Sequence, residues 1–183
     1  MSKELKQSVL SPATGLSPGV AYYFSAMEEV RGQVRQAVSG LSNEEISTRA
    51  LTGAHPIGAL LLHIGEAEFW WIQCVVAGRT ATEEDKLIAH WDVLDDPDSF
   101  ASKGYSAEYC LDSIGRIRTM SRDVLASLDD NALDRLYRYE GPKSIREVSL
   151  RWVLHHLIDH EAQHKGQIFT PCATLKDRES HLS

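Results

Sequence analysis

The stretch from Ser144 to Ile168 constrains this chain more than any other. Leu150, Val153, Leu154, Leu157, Ile158 and Ile168 fall at the three-and-four spacing of a helix with one buried face, and His160 and His164 continue the same line. At about 100° per residue the two histidines lie about 40° apart, one turn of roughly 5.4 Å between them, so both rings can reach a single ion. One helix therefore offers two metal ligands. Ser144 with Glu147 three residues on is a capping-box pattern, and Gly141-Pro142 just before it reads as a turn, so the helix is expected to open at Ser144 and to end at Pro171. His155 falls about 180° from His164 and should face solvent, whereas His156 falls about 40° from His160 and should flank the site in a supporting role.

Three further segments have the same character. Ser17-Pro18 is a helix start, followed by the stripe Val20, Tyr23, Phe24, Met27, Val30, Val34, Ala37 and Val38 up to Gly40. Ser42 to Glu45 repeats the capping pattern over a span that allows only a turn or two. A second long helix is expected from Pro56 to Gly78, with Leu60, His63, Ala67, Trp70 and Cys74 on one line and Glu66 about 60° to its side. From Arg79 to Gly104 the chain is polar and irregular. Ser106 then caps a third helix, with Ala107, Cys110, Leu111, Ile114, Ile117, Val124, Leu125 and Leu128 on one face. No run alternates like a strand, although Leu136 to Glu140 is short enough to be extended.

Four amphipathic segments without clear strands predict an all-α protein, a four-helix bundle in one domain over residues 1–183, with residues 1–16 and 171–183 as tails. His63 lies early in the second segment, while His160 and His164 lie late in the fourth. The three can share an ion only if those two segments run antiparallel. The long 79–104 connection between helices two and three permits this as a crossover, giving the order up-down-down-up.

Composition narrows the function. A net charge of -7 without a local Lys/Arg cluster argues against nucleic acid as a partner. No apolar run approaches the ~18 residues of a membrane span, and Met1 to Leu5 lacks a signal-peptide core, so no membrane partner and a cytoplasmic location are expected. Cys74, Cys110 and Cys172 form neither a Cys-x-x-Cys pair nor an even framework. Cys74 is also ~16 Å along its helix from His63, so it cannot close a structural zinc site there. A divalent metal on His63, His160 and His164 with open positions is the expectation, nickel or zinc being best suited to imidazole.

The words His55-Pro56-Ile57-Gly58-Ala59-Leu60-Leu61-Leu62-His63-Ile64-Gly65-Glu66-Ala67-Glu68 and His156-Leu157-Ile158-Asp159-His160-Glu161-Ala162-Gln163-His164-Lys165-Gly166-Gln167 resemble the DinB-like family with its YfiT-like metalloenzymes. With the helix order, the resemblance spans most of residues 17–170. It implies a three-histidine metal site, often in homodimers, and activities that include thiol-dependent transfer and hydrolysis on a small-molecule substrate, with a low-molecular-weight thiol as co-substrate. Lys165 stands where the family more often has Arg, which removes the bidentate fork a carboxylate would need.

His160-Glu161-Ala162-Gln163-His164 also satisfies His-Glu-x-x-His, the metalloprotease pattern in which the Glu is general base. The downstream spacing of a metzincin is absent, a distant downstream Glu ligand is possible only as Glu179, and an all-helical chain lacks an edge strand to hold a peptide. Glu161 and Glu66 are the candidate catalytic carboxylates, and Glu66, Asp159 and Glu161 are also candidates for fixing a ligand imidazole. A non-catalytic, stress-related metal-binding protein is the alternative from another class.

Overall fold

A computed structural model describes residues 5–141 and 143–182, apart from the side chains of Pro97 and of residues 176–182. Its long helices are α1 (Pro18–Val38), α2 (Ile57–Phe69, continued by a π-helical turn Trp70–Val76), α5 (Ala107–Ala126) and α6 (Leu150–Leu182). Two short helices, α3 (Glu83–Ile88) and α4 (Pro97–Lys103), occupy the 79–104 crossover, and a hairpin of β1 (Leu136–Glu140) and β2 (Ile145–Ser149) precedes α6. The protein is a helical bundle with that small hairpin at one end.

The core fixes the directions. Ile57, Leu60 and Leu61 at the start of α2 share one cluster with Val34 and Val38 late in α1, Cys110 and Ile114 early in α5, and Ile168 and Cys172 late in α6. Trp71, Ile72 and Val75 share the other with Val20, Phe24 and Met27, Leu125, and Leu150, Val153, Leu154 and Leu157. Hence α1 and α6 run one way and α2 and α5 the other, which is up-down-down-up. Bare backbone permits the close contacts: a Cβ at Gly65 would meet Ile114 Cγ2 at 2.9 Å, and one at Gly58 would meet the Phe100 ring of α4 at 2.1 Å. The first brings α5 onto α2; the second pins the crossover to the start of α2.

The fourth segment differs from the sequence reading at both ends. Residues 145–149 are strand, paired antiparallel from Leu136↔Ser149 to Glu140↔Ile145, and the turn closes with Gly141 N–H donating to Ser144 O at 2.9 Å. Pro142 lies outside the described residues. The helix opens at Leu150, where Ser149 Oγ accepts from Trp152 N–H at 3.1 Å. Ser144-x-x-Glu147 matched a cap, yet Tyr137 and Tyr139 pack on the core beside Val148, and that burial favours the extended pairing. At the other end α6 continues through Pro171. Pro171 and Cys172 are buried and Leu175 packs beside them, so tertiary contact outweighs the lost N–H and residues 171–175 are not a tail. At the N-terminus, Ala13 and Leu16 pack against the core and Arg122 donates to Thr14 O.

Two other expectations are corrected. Ile57–Val76 is long and apolar enough to cross a membrane by length and composition, but 72% of its most apolar window is buried inside the bundle. It is the bundle's central helix. Ser17 does not cap α1 with its own side chain. Asp130 does: it accepts Ser17 Oγ–H at 2.7 Å, Gly19 N–H at 2.9 Å and Val20 N–H at 3.2 Å. Those bonds hold the Asp130 carboxyl below the usual aspartate range.

Candidate metal centre

The antiparallel run of α2 and α6 brings His63, His160 and His164 together, with one ligand atom from each all within 4.8 Å of one another. Ring centroids of His63 lie 5.1 Å from both His160 and His164, and those of His160 and His164 are 4.4 Å apart. Nε2 of His160 and Nε2 of His164 face each other at 3.1 Å. Among the described residues no Cys, Asp or Glu joins this cluster. Burial pushes His160 down to about 3, helped by the neighbouring imidazoles, and burial also lowers His164, partly offset by its bond to Gln167. Both rings therefore hold free lone pairs at neutral pH, the form in which imidazole binds a metal. The donor set fits a divalent ion of borderline softness.

The outer nitrogens of His63 and His164 have anchors. Glu66 Oε2 lies 3.0 Å from His63 Nδ1, and Glu66 Oε1 accepts Asp92 N–H at 2.8 Å. Gln167 Oε1 lies 2.8 Å from His164 Nδ1. These contacts turn Nε2 of His63 and of His164 toward the cluster and fix the tautomer of both rings, the support that ligating histidines commonly need. The crossover thus reaches the centre. Asp92 has φ +58° and His90 φ +54°, left-handed backbone that a non-glycine adopts at a cost. His90 is held among the rings of Tyr105 and Tyr109, which stack on each other at 4.4 Å.

The other expected residues divide. The His156 ring lies 5.9 Å from that of His160, stacks on Trp152 at 4.9 Å and meets Trp71 edge-on at 5.2 Å. Asp159 is exposed and accepts from Gln163 Nε2 at 2.7 Å, away from any ligand ring. Glu161 is 3% exposed and belongs to a buried ion network. Arg31 Nε and Nη2 donate to its two oxygens, and Arg118 Nη2 donates to Oε2 at 3.2 Å. Arg31 and Arg118 also grip Glu68, at 3.0 and 2.7 Å. Both oxygens of Glu161 are thus committed to guanidinium groups, unlike the water-facing Glu of a His-Glu-x-x-His protease. The side chain of Glu179 lies outside the described residues. Lys165 donates to Gln33 Oε1 at 2.8 Å.

Sequence reading missed Gln167 and the network. Gln167 stands three residues after His164, as Glu66 stands three after His63, and that shared spacing was the available signal. Arg31, Glu68, Arg118 and Glu161 each interrupt an apolar stripe on a different long helix, and four such interruptions facing one another make a self-satisfying cluster.

Residues 23–169 match the family model described as mycothiol-S-transferase. Among solved structures, a conserved protein from Enterococcus faecalis is similar at 13% identity and TM-score 0.63, covering 82% of this chain and 92% of its own. Another is YfiT from Bacillus subtilis, described as "a probable metal-dependent hydrolase with an unusual four-helix bundle topology", at 15% identity and TM-score 0.54, covering 91% and 93%. These likenesses concern the fold. Comparison with curated proteins found no match.

Proposed function

We propose that this chain, which belongs to the mycothiol-S-transferase family, binds one divalent ion, nickel or zinc, on His63, His160 and His164 and acts as a thiol-dependent S-transferase on a small electrophilic substrate. The observation that carries this is the convergence of three imidazole ligand atoms within 4.8 Å, with no fourth protein ligand among the described residues. Three ligands and open positions are the pattern of a catalytic rather than a structural site. When bound, such an ion supplies a full positive charge that lowers the pKa of a ligated water or thiol.

The chain's own residues favour transfer over hydrolysis. Glu66 holds His63 and the Asp92 backbone, and Glu161 holds two arginines, so neither carboxylate stands free to deprotonate water. A thiol, with an intrinsic pKa of ~8.5 against 15.7 for water, least needs such a base. His160 and His164, kept neutral by burial, hold the reacting centre, while Glu66 and Gln167 orient it. The aromatic group of Trp71, Trp152 and His156 shields one side from water. Hydrolysis is the second reading, and a stress-related metal-binding protein without turnover the third. The reducing cytoplasm, in which a thiol co-substrate is maintained, is the location this reading carries with it. The homodimer that the sequence resemblance implies is part of the proposal, checked by light scattering.

The test is metal-loaded protein incubated with mycothiol, bacillithiol or glutathione and a generic electrophile, beside the same protein with esters and amides. Conjugation that needs both metal and thiol and fails in His63→Ala supports transfer. Hydrolysis with no thiol consumed replaces it by the second reading, and inactivity across the panel by the third.

A further inference from the structure

A cavity of about 520 Å³ opens between the 50–55 loop and the outer side of α6, next to the triad. Ala50, Leu51, Ala54 and Leu60 form its apolar side. His55, Gln163, Gln167 and Thr170 supply polar groups, and no Asp, Glu, Lys or Arg lines it among the described residues. Its size is that of a small-molecule site, and its lining suits the uncharged part of a ligand, one that combines apolar surface with amide or hydroxyl groups. Gln167 belongs to both the cavity and the metal centre. Its Oε1 is engaged by His164, which leaves its amide N–H groups to donate. Gln163 uses its amide nitrogen on Asp159 and keeps Oε1 as an acceptor. His55, whose Nδ1 is buried without a hydrogen-bond partner, adds a polar ring to the wall.

Gly166 is the informative residue. It stands in the interior of α6 with helical backbone, where glycine weakens a helix relative to alanine, and a Cβ built there meets nothing within 4 Å. Neither left-handed geometry nor a packed neighbour accounts for it. What the missing side chain leaves open is the cavity wall. We infer that this cavity is the co-substrate pocket of the metal centre, that Gly166 keeps it open, and that Gln163, Gln167 and His55 bind the neutral polar part of the ligand. The inference rests on the proposed function for its choice of ligand, which is the body of either the thiol or the electrophile.

Methyl NMR of the metal-loaded protein tests it without turnover. Mycothiol, bacillithiol, glutathione or the electrophile is titrated alone while the resonances of Leu51, Ala54 and Leu60 are followed. One of the two classes should shift these signals, and Gly166→Leu, which fills the cavity, should raise that ligand's Kd at least tenfold while metal content and melting temperature hold. Gly32→Leu, where an added side chain also meets nothing within 4 Å, is the control with unchanged Kd. The class that shifts identifies the occupant. If Kd in Gly166→Leu equals that of the parent, or if neither class shifts the cavity methyls, the pocket assignment is overturned even where conjugation proceeds. Binding that is lost in Gly166→Leu in a protein that never conjugates keeps the pocket and overturns the transferase reading instead.

Discussion

Glu66 Oε2 sits 3.0 Å from His63 Nδ1 while its other oxygen accepts the backbone N–H of Asp92 at 2.8 Å, so the crossover holds a metal ligand through one carboxylate. Removing the charge but not the shape isolates that role. Glu66→Gln should weaken metal binding roughly 10- to 100-fold, the usual effect of losing such a partner, with little change in folding. Competition against a chromophoric chelator measures it. Equal affinity in the two proteins would leave His63 oriented by packing alone.

Metal binding itself depends on the three rings acting together. His160→Ala should reduce bound divalent ion from one per chain to a background level in elemental analysis of protein purified without chelator. Unchanged metal content in that variant would remove His160 from the site. His156→Ala should keep the metal, because that ring stacks on Trp152 beside the cluster and is not one of its ligands.

The triad was legible because its logic is periodic: two histidines four apart on an apolar line, and a third on a helix that had to run antiparallel to them. The hairpin was not, because Ile145 to Ser149 carries a cap-like Ser144-x-x-Glu147 pattern whose local pull is overridden by burial of Val148 and of the tyrosines opposite. The end of α6 escaped for a related reason. Proline is read as a stop from local rules, while burial of Pro171 and Cys172 is a property of the assembled bundle. Glu161 shows the same limit. Its position beside His160 suggested chemistry, and only the arrival of Arg31 from α1 and Arg118 from α5 reveals its occupation.

Truncation after Thr170 should therefore be costly. It removes buried Pro171 and, from the cluster around Ile57 and Ile168, buried Cys172 and partly buried Leu175, together worth about 3 kcal/mol at ordinary burial energies. Urea unfolding of the shortened chain measures it. A midpoint equal to that of the full chain would return residues 171–175 to the status of a tail.

Glu161 separates a structural role from a catalytic one. Glu161→Gln leaves two buried guanidinium groups short of a countercharge, and breaking a buried pair in this way costs about 3–5 kcal/mol. The variant should melt well below the parent yet retain its metal and, where still folded, its turnover. A stable variant with normal metal and no activity would restore Glu161 as general base.

Acid should act through Glu68. Burial alone would raise its pKa, but the guanidinium groups of Arg118 and Arg31, with the hydrogen bond from Arg118, more than offset this and hold the carboxyl below its usual value. A carboxyl whose folded pKa lies below the unfolded one binds fewer protons folded than unfolded, so its contribution is complete above the unfolded pKa of ~4.3 and is lost as pH falls through the folded value. Urea unfolding from pH 7 to pH 3 should then show stability declining below about pH 4.3. In Glu68→Gln stability should be lower at pH 7, because Arg31 and Arg118 lose a countercharge, and should decline less steeply in acid, because one linked proton is gone. Parallel pH profiles for the two proteins would show that the Glu68 carboxyl has the same pKa folded and unfolded and that the arginines do not depress it.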